Sequence, residues 1–390
     1  MIKNICLVTT EIPRPRTYDG HGAHFSALMT VLAQEGHSVS IVLVDSGMKS
    51  IREFESWQAF YRERKINLIR TSFEIEKIQT LGDAAHSYCL YQWLRSMNYD
   101  VVHFSERGGL AYYSLLARHQ GLAFQSTDLV VNVVGGLAQA KSSVGEVFSS
   151  EAELVVDFLE RESCRLASLR VTSTAWEKSE ADEAFRAGTT DFLPPLSLVD
   201  EGETTGLERD CLVYCGQISR NADLTLFCDS VDALPPEEVA KVKIVFLGVT
   251  DSSESVFSYL AERARRWNTT YNIASTTDRS AALSFLRGRA RLAVLFPSLR
   301  HLAVAVTHCL HEGISFVAAR DDESVEPAVD PSGLFFESAR EDLRSLIASR
   351  LVQLKFSKPK IPQETTRKSW IEFHSRSRTG PTPAVAGTPS

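Results

Sequence analysis

Short runs of aliphatic and β-branched residues alternate with amphipathic helical stretches along most of this chain, and that rhythm constrains its fold more than any other feature. A run buried on both faces reads as a strand of a parallel sheet, and two parallel strands need a crossover, normally a helix. Ile5–Thr9, a glycine-containing loop, the amphipathic stretch Ser26–Glu35, a stop at Gly36 and the run Ser38–Val44 form one such β-α-β unit. Asp100–Phe104 and Leu129–Val134 read as further strands, with the helical run Leu110–Gln120 between them. The acid-rich stretch Glu151–Leu166 reads as a helix and Arg170–Ser173 as a short strand after it.

The rhythm then breaks. Phe192-Leu193-Pro194-Pro195-Leu196 and the polar stretch Asp200–Asp210 carry prolines, glycines and acids without periodicity, which reads as a linker. Alternation restarts with strands at Cys211–Cys215, Lys243–Leu247, Thr270–Ala274, Leu292–Phe296 and Ser315–Ala319. Helices fall between them at Leu224–Leu234, Ser255–Trp267, Ala281–Arg289 and Val304–Glu312. The expected architecture is α/β, with two Rossmann-like doubly wound domains over 1–195 and 211–356 joined by a linker at 196–210. A helical segment follows over 357–374, with Thr365–Phe373 around Trp370, and the Pro/Gly/Ser/Thr-rich 375–390 is expected to be disordered.

Composition excludes several classes. Lys+Arg 42 against Asp+Glu 49 gives a formal charge of −7, so the surface has no general attraction for a nucleic-acid backbone. No run of 18 or more apolar residues is present to cross a bilayer, and the N-terminus reads as a strand without a signal-peptide cleavage site. The seven cysteines form no C-x-x-C pair, and the nearest two, Cys211 and Cys215, have no histidine beside them to complete a zinc site. A reduced, cytoplasmic location and no resident metal are the expectation.

In doubly wound sheets ligands bind in the crevice outside the carboxyl ends of the strands. Segments due to reach that rim carry a recognisable set of residues. Leu7-Val8-Thr9-Thr10-Glu11-Ile12-Pro13 followed by Asp19-Gly20-His21-Gly22-Ala23-His24 resembles the first strand and glycine loop of the GT-B glycosyltransferases, specifically the retaining group called family 4. Ser105-Glu106-Arg107-Gly108-Gly109-Leu110-Ala111-Tyr112-Tyr113 is similar to the segment after that group's fourth strand. Val213-Tyr214-Cys215-Gly216 resembles the start of its nucleotide-binding domain, and Phe296-Pro297-Ser298-Leu299-Arg300 the start of its donor-site helix. The resemblance runs to about Leu354. It implies two facing Rossmann-like domains in the GT-B arrangement, with a nucleotide-sugar donor and a saccharide or other acceptor in the interdomain cleft. The nucleotide-sugar is a substrate, and no cofactor is implied.

Gly20 and Gly22 precede the first helix, where backbone N–H groups can approach a phosphate or acceptor; the same glycines would serve a tight strand-to-helix turn. His24 begins that helix on the crevice side if the loop takes its usual shape. Glu106, at the end of a buried strand, is placed to orient an acceptor hydroxyl or to stabilise a helix N-terminus. His103, within its strand, reads as a satisfied core histidine.

Elsewhere the chain departs from the family. The family's basic pair on the loop after the first strand of the second domain corresponds here to Gln217 or Arg220 and to Ala222, so the lysine is gone. Its two glutamates eight residues apart correspond to Arg300 and His308, which inverts the charge; an arginine only donates, whereas His308 accepts at one nitrogen. The polar residue at the end of its donor-facing strand corresponds to Val134, which offers a sugar no hydrogen bond. The loop Asp321-Asp322-Glu323 with Glu326 is acidic where the family often has glycines. Losing a lysine clamp and one carboxylate removes on the order of 3–6 kcal/mol, or about 10² to 10⁴ in donor affinity or rate. Two readings follow: a transferase with a donor site rebuilt on Gly216, Arg220, Arg300 and His308, or a catalytically inactive partner or acceptor-binding subunit of an active transferase.

Overall fold

The computed structural model describes the chain except residues 1, 11–20, 45–50, 74, 76, 77, 79–81, 143–145, 174, 186, 187, 195, 197–210, 249, 251–253, 276–281, 283, 284, 287–290, 297–304, 307, 308, 311–313, 320–334, 337–339, 354–362 and 377–390.

Aliphatic runs buried on both faces build two all-parallel sheets. The first orders its strands β3-β2-β1-β4-β5-β6-β7, where β1 is Asn4–Thr9, β2 Ser38–Val44, β3 Ile66–Thr71, β4 Val101–Ser105, β5 Asp128–Val133, β6 Leu169–Thr172 and β7 Thr189–Phe192. The helices joining them are α1 (His21–Gln34), α2 (Ile51–Glu63), α3 (Gly82–Leu94), α4 (Tyr112–His119), α5 (Leu137–Ser142), α6 (Glu151–Leu166) and α7 (Ala175–Ala184). Strand alternation divides the interior into two layers. Ile5 and Leu7 of β1 pack with Leu28 and Leu32 of α1 on one face, and Cys6 and Val8 pack with Leu90, Leu115 and Cys164 on the other.

The second sheet repeats the order as β10-β9-β8-β11-β12-β13, with β8 Cys211–Cys215, β9 Lys243–Gly248, β10 Tyr271–Ser275, β11 Arg291–Leu295, β12 Phe316–Ala319 and β13 Phe335–Phe336. Its helices include α8 (Ala222–Asp232), α9 (Pro236–Val239), α10 (Glu254–Trp267) and α11 (Arg340–Gln353). Asn221 caps α8, its side chain accepting from the Leu224 N–H at 2.8 Å, which fixes where the loop after β8 becomes helix.

Three of the features not read from the sequence bear on the first domain. Ile66–Thr71 is a strand between two helices, α2 and α3, in a stretch whose mixed polarity gave no clear period. Phe192, read as linker, closes edge strand β7, and Leu193 and Leu196 beyond it are buried in the first domain's core. The C-terminal helix α12 (Gln363–Ser375) docks on the first domain rather than the second: Trp370, 0% exposed, and Phe373 join the core around α1. Trp370 Nε1 donates to Pro194 O at 2.8 Å, and Arg367 pairs with Glu35 at 2.7 Å.

Candidate functional site

In each sheet the strand order reverses at one point, between β1 and β4 and between β8 and β11. Ligand crevices form at such points, so the loops after these four strands define the candidate site. Gly20, the Pro297–Arg300 segment, His308 and the acidic 321–326 loop lie outside the described residues. Gly22 lies in the first turn of α1 and is half-buried.

The loop after β4 is the best-defined wall. Gly108 and Gly109 have φ of +75° and +59°, conformations that favour glycine. A Cβ on Gly109 would stand 2.7 Å from the Leu159 backbone carbon, so α6 passes directly against this turn. Glu106 does not cap the turn that follows. Its Oε2 instead accepts the Val134 N–H at 2.9 Å, joining the β4 loop to the β5 loop, and the side chain is 9% exposed. Val134 is thus engaged through its backbone, not its side chain.

Glu160 of α6 makes a second tie between the same loops, which the acid-rich helical pattern of 151–166 does not disclose. Its Oε1 accepts Gly108 N–H at 2.8 Å and its Oε2 accepts Leu137 N–H at 2.6 Å. A Cβ on Gly136 would lie 2.6 Å from Glu160 Oε2 and 3.3 Å from Glu106 Oε1, so only glycine leaves room for both carboxylates. Glu160 shares a helix face with Asp157, which is also buried and pairs with Arg161 at 2.8 Å. Glu106, Gly136, Gln139, Asp157, Glu160 and Phe185 are among the residues lining a cavity of about 760 Å³ that opens at this rim.

Burial raises the Glu160 carboxyl above its ordinary 4.5, with the two N–H bonds and Arg107 pulling it partly back. The folded state therefore holds a proton more tightly than the unfolded chain. Stability contributed through this group is present at low pH and declines as pH rises from about 4.5 through the raised value. In urea denaturation across pH 4.5–7.5, the stability of wild type relative to Glu160→Gln should fall with rising pH, by about 1.4 kcal/mol for each unit by which the carboxyl is raised. A pH-independent difference would refute the assignment.

On the second sheet Gly216 is buried, and its N–H donates to Leu247 O at 3.1 Å. The loop is braced from within: Tyr214 Oη donates to Gln217 O at 3.0 Å. Arg220 is exposed and lies 5.4 Å from the Tyr259 ring centroid, with Arg263 on the same ring at 5.1 Å. Ala222 opens α8.

His24 is 3% exposed, and its Nδ1 accepts the Leu196 N–H at 2.9 Å while its ring packs 5.2 Å from Trp370. It therefore anchors the departing chain, away from the crevice wall that the usual loop shape implied. His103 is fully buried, with its Nε2 2.9 Å from His374 Nε2. The structure brings Glu106 together with the Gly135-Gly136 loop, and Gly216 with Arg220 on the other sheet. Among the described residues no group of three or more His, Cys, Asp or Glu is placed to hold a metal, and no helix is long and apolar enough to cross a membrane.

Two parallel sheets in the same reversed order, each with a crevice loop at its switch point, define the two-domain α/β class known as GT-B, the fold of many glycosyltransferases. Solved structures of that class match nearly the whole chain. Anabaena Alr3699/HepE, in complex with UDP and glucose, superposes with a TM-score of 0.61 at 13% identity, covering 96% of this chain and 99% of its own. WaaG, a glycosyltransferase involved in lipopolysaccharide biosynthesis, gives 0.58 at 12% identity over 94% and 93%. The lipopolysaccharide outer core galactosyltransferase WaaB gives 0.55 at 12% identity over 95% of each. No protein-family model matches the sequence, and no curated protein matches it in sequence.

Proposed function

We propose that this chain binds a nucleotide-sugar at the rim of its second sheet and transfers the sugar to a saccharide or other acceptor held at the rim of its first. The observation that carries this reading is the whole-chain GT-B likeness, including to a structure holding UDP and glucose. The Glu106–Gly136 wall supports an acceptor side, because a buried carboxylate beside a glycine can take a hydroxyl group closely. The loop Gly216–Asn221 supports a donor side, with Arg220 as its cation in place of the family's basic pair.

One observation favours the second reading, a partner or acceptor-binding subunit without transfer of its own. Arg220 lies over Tyr259, and Ala222 stands where the resemblance implies a lysine. Calorimetric titration of the purified chain with UDP, GDP, dTDP and their sugars separates the two. Micromolar binding of one nucleotide, weakened about tenfold or more by Arg220→Ala, supports transfer with a rebuilt donor site. Absence of binding at millimolar concentration overturns the autonomous-enzyme reading.

A further inference from the structure

We infer that the C-terminal helix α12 is a pH-sensitive latch, held on the first sheet by the buried pair His103–His374 and released when that pair takes up protons. The inference is independent of what the crevice binds. Its geometry is specific. His374 Nδ1 lies 2.8 Å from Trp370 O, which only accepts, so Nδ1 carries the hydrogen. In the neutral ring Nε2 is then an acceptor, and His103 Nε2, 2.9 Å away, must be the donor. That leaves His103 Nδ1 as the acceptor facing Asn132 Nδ2 at 3.4 Å, while the same amide nitrogen donates to Phe104 O at 2.9 Å. One hydrogen sits between the two imidazoles, and every other ring nitrogen has a complementary neighbour.

A second proton breaks this order. Protonating His374 at Nε2 sets two N–H groups against each other. Shifting the His103 tautomer to relieve them turns its Nδ1–H toward the Asn132 amide nitrogen, again donor to donor, and turning the amide to present Oδ1 instead breaks its 2.9 Å bond to Phe104 O. Both rings are essentially inaccessible, at 0% and 1% exposure, among Trp370 and Phe373. Among the described residues, the groups on the elements packed there include the following. From β5 comes Asn132, and from α1 His24, which accepts Leu196 N–H. Glu35 of α1 pairs with Arg367, and Asp191 of β7 pairs with Arg376 at 3.3 Å. Lys3 Nζ donates to Arg376 O, and Lys368 pairs with Glu372 at 3.9 Å on the outer face of α12.

An exposed histidine titrates near pH 6.5, so the released helix binds protons that the docked one refuses. Docking is complete above that pH and weakens as pH falls through it, by up to roughly tenfold per histidine per pH unit. Trp370 holds Pro194 O, so release of α12 also frees the segment where the chain leaves the first domain.

The test is hydrogen exchange of the full chain at pH 7.5 and 5.5, corrected for intrinsic rates. Protection of 363–375 should fall about tenfold to hundredfold relative to 222–232, a helix without histidine. The double variant His103→Gln, His374→Gln should remove that pH dependence. Equal changes in both helices, or a loss that persists in the double variant, would overturn the latch. If the variant does not fold, imidazole 15N spectra of the wild type decide. The expected tautomers are Nε2–H for His103 and Nδ1–H for His374, both neutral at pH 7. A pair that is charged while α12 stays protected overturns the inference.

Discussion

Arg170→Met should destabilise the first domain by about 3–5 kcal/mol in urea unfolding, among the largest effects of any single side chain here. Arg170 is 0% exposed on β6. Its Nη1 donates to Cys164 O at 3.0 Å and Ala167 O at 3.1 Å, its Nη2 to Phe185 O at 3.0 Å, and its Nε to Thr190 Oγ1 at 3.1 Å. One guanidinium thus satisfies carbonyls at the end of α6 and just beyond α7, the helices flanking the cavity. Burial lowers its pKa, but an arginine still keeps its charge at any physiological pH. Methionine fills similar volume while leaving three carbonyls unpaired, each at about 1–3 kcal/mol. Arg161→Met on the solvent side of α6, where the pair with Asp157 is exposed at the arginine end, should change stability by under about 1 kcal/mol. Equal effects for the two variants would contradict this account.

Gly248→Ala should be as severe, but confined to the second domain. Gly248 ends β9 with φ of +154°, and a Cβ there would fall 1.8 Å from Gly216 O. Neither backbone has room to withdraw, because Gly216 N–H is bonded to Leu247 O and the two strands are paired in register. A loss of about 3 kcal/mol or more is expected, with the Gly216–Asn221 loop displaced. The unfolding transition followed by the buried Trp267 should shift while that of the first domain stays. Gly216→Ala offers the contrast. Its Cβ would meet a side chain rather than backbone, the Tyr214 hydroxyl at 2.9 Å, which can shift only by loosening its bond to Gln217 O, and a smaller loss of about 1–3 kcal/mol is expected. Nucleotide titration of the two variants then tests whether the Gly216–Asn221 loop forms the proposed donor side.

Much of the scaffold was legible because burial on both faces leaves a continuous apolar run, which local sequence displays directly. Ser38–Val44, Glu151–Leu166 and Cys211–Cys215 have the expected bounds. Ile66–Thr71 escaped because Asn67 and Arg70 are exposed or half-exposed, which breaks the run. Tyr271–Ser275 was found although its strand is half-exposed, because its neighbours carried the rhythm. At the site, Glu106 stood out as an acid at a strand end. Glu160 did not, since nothing local tells a solvated helical acid from one that reaches two backbone N–H groups on separate loops. His24 was misplaced for the same reason: its position on the helix was clear, but its partner, Leu196, lies 172 residues away.

The sequence by itself determined the two parallel sheets, since a run buried on both faces is a property of a short segment. Tertiary structure alone decided that α12 returns to the first domain, that Glu106 and Glu160 share the space above Gly136, and that His103 meets His374 across 271 residues of chain. Periodicity records that a side chain is buried; which distant group it is buried against is settled only when the layers close.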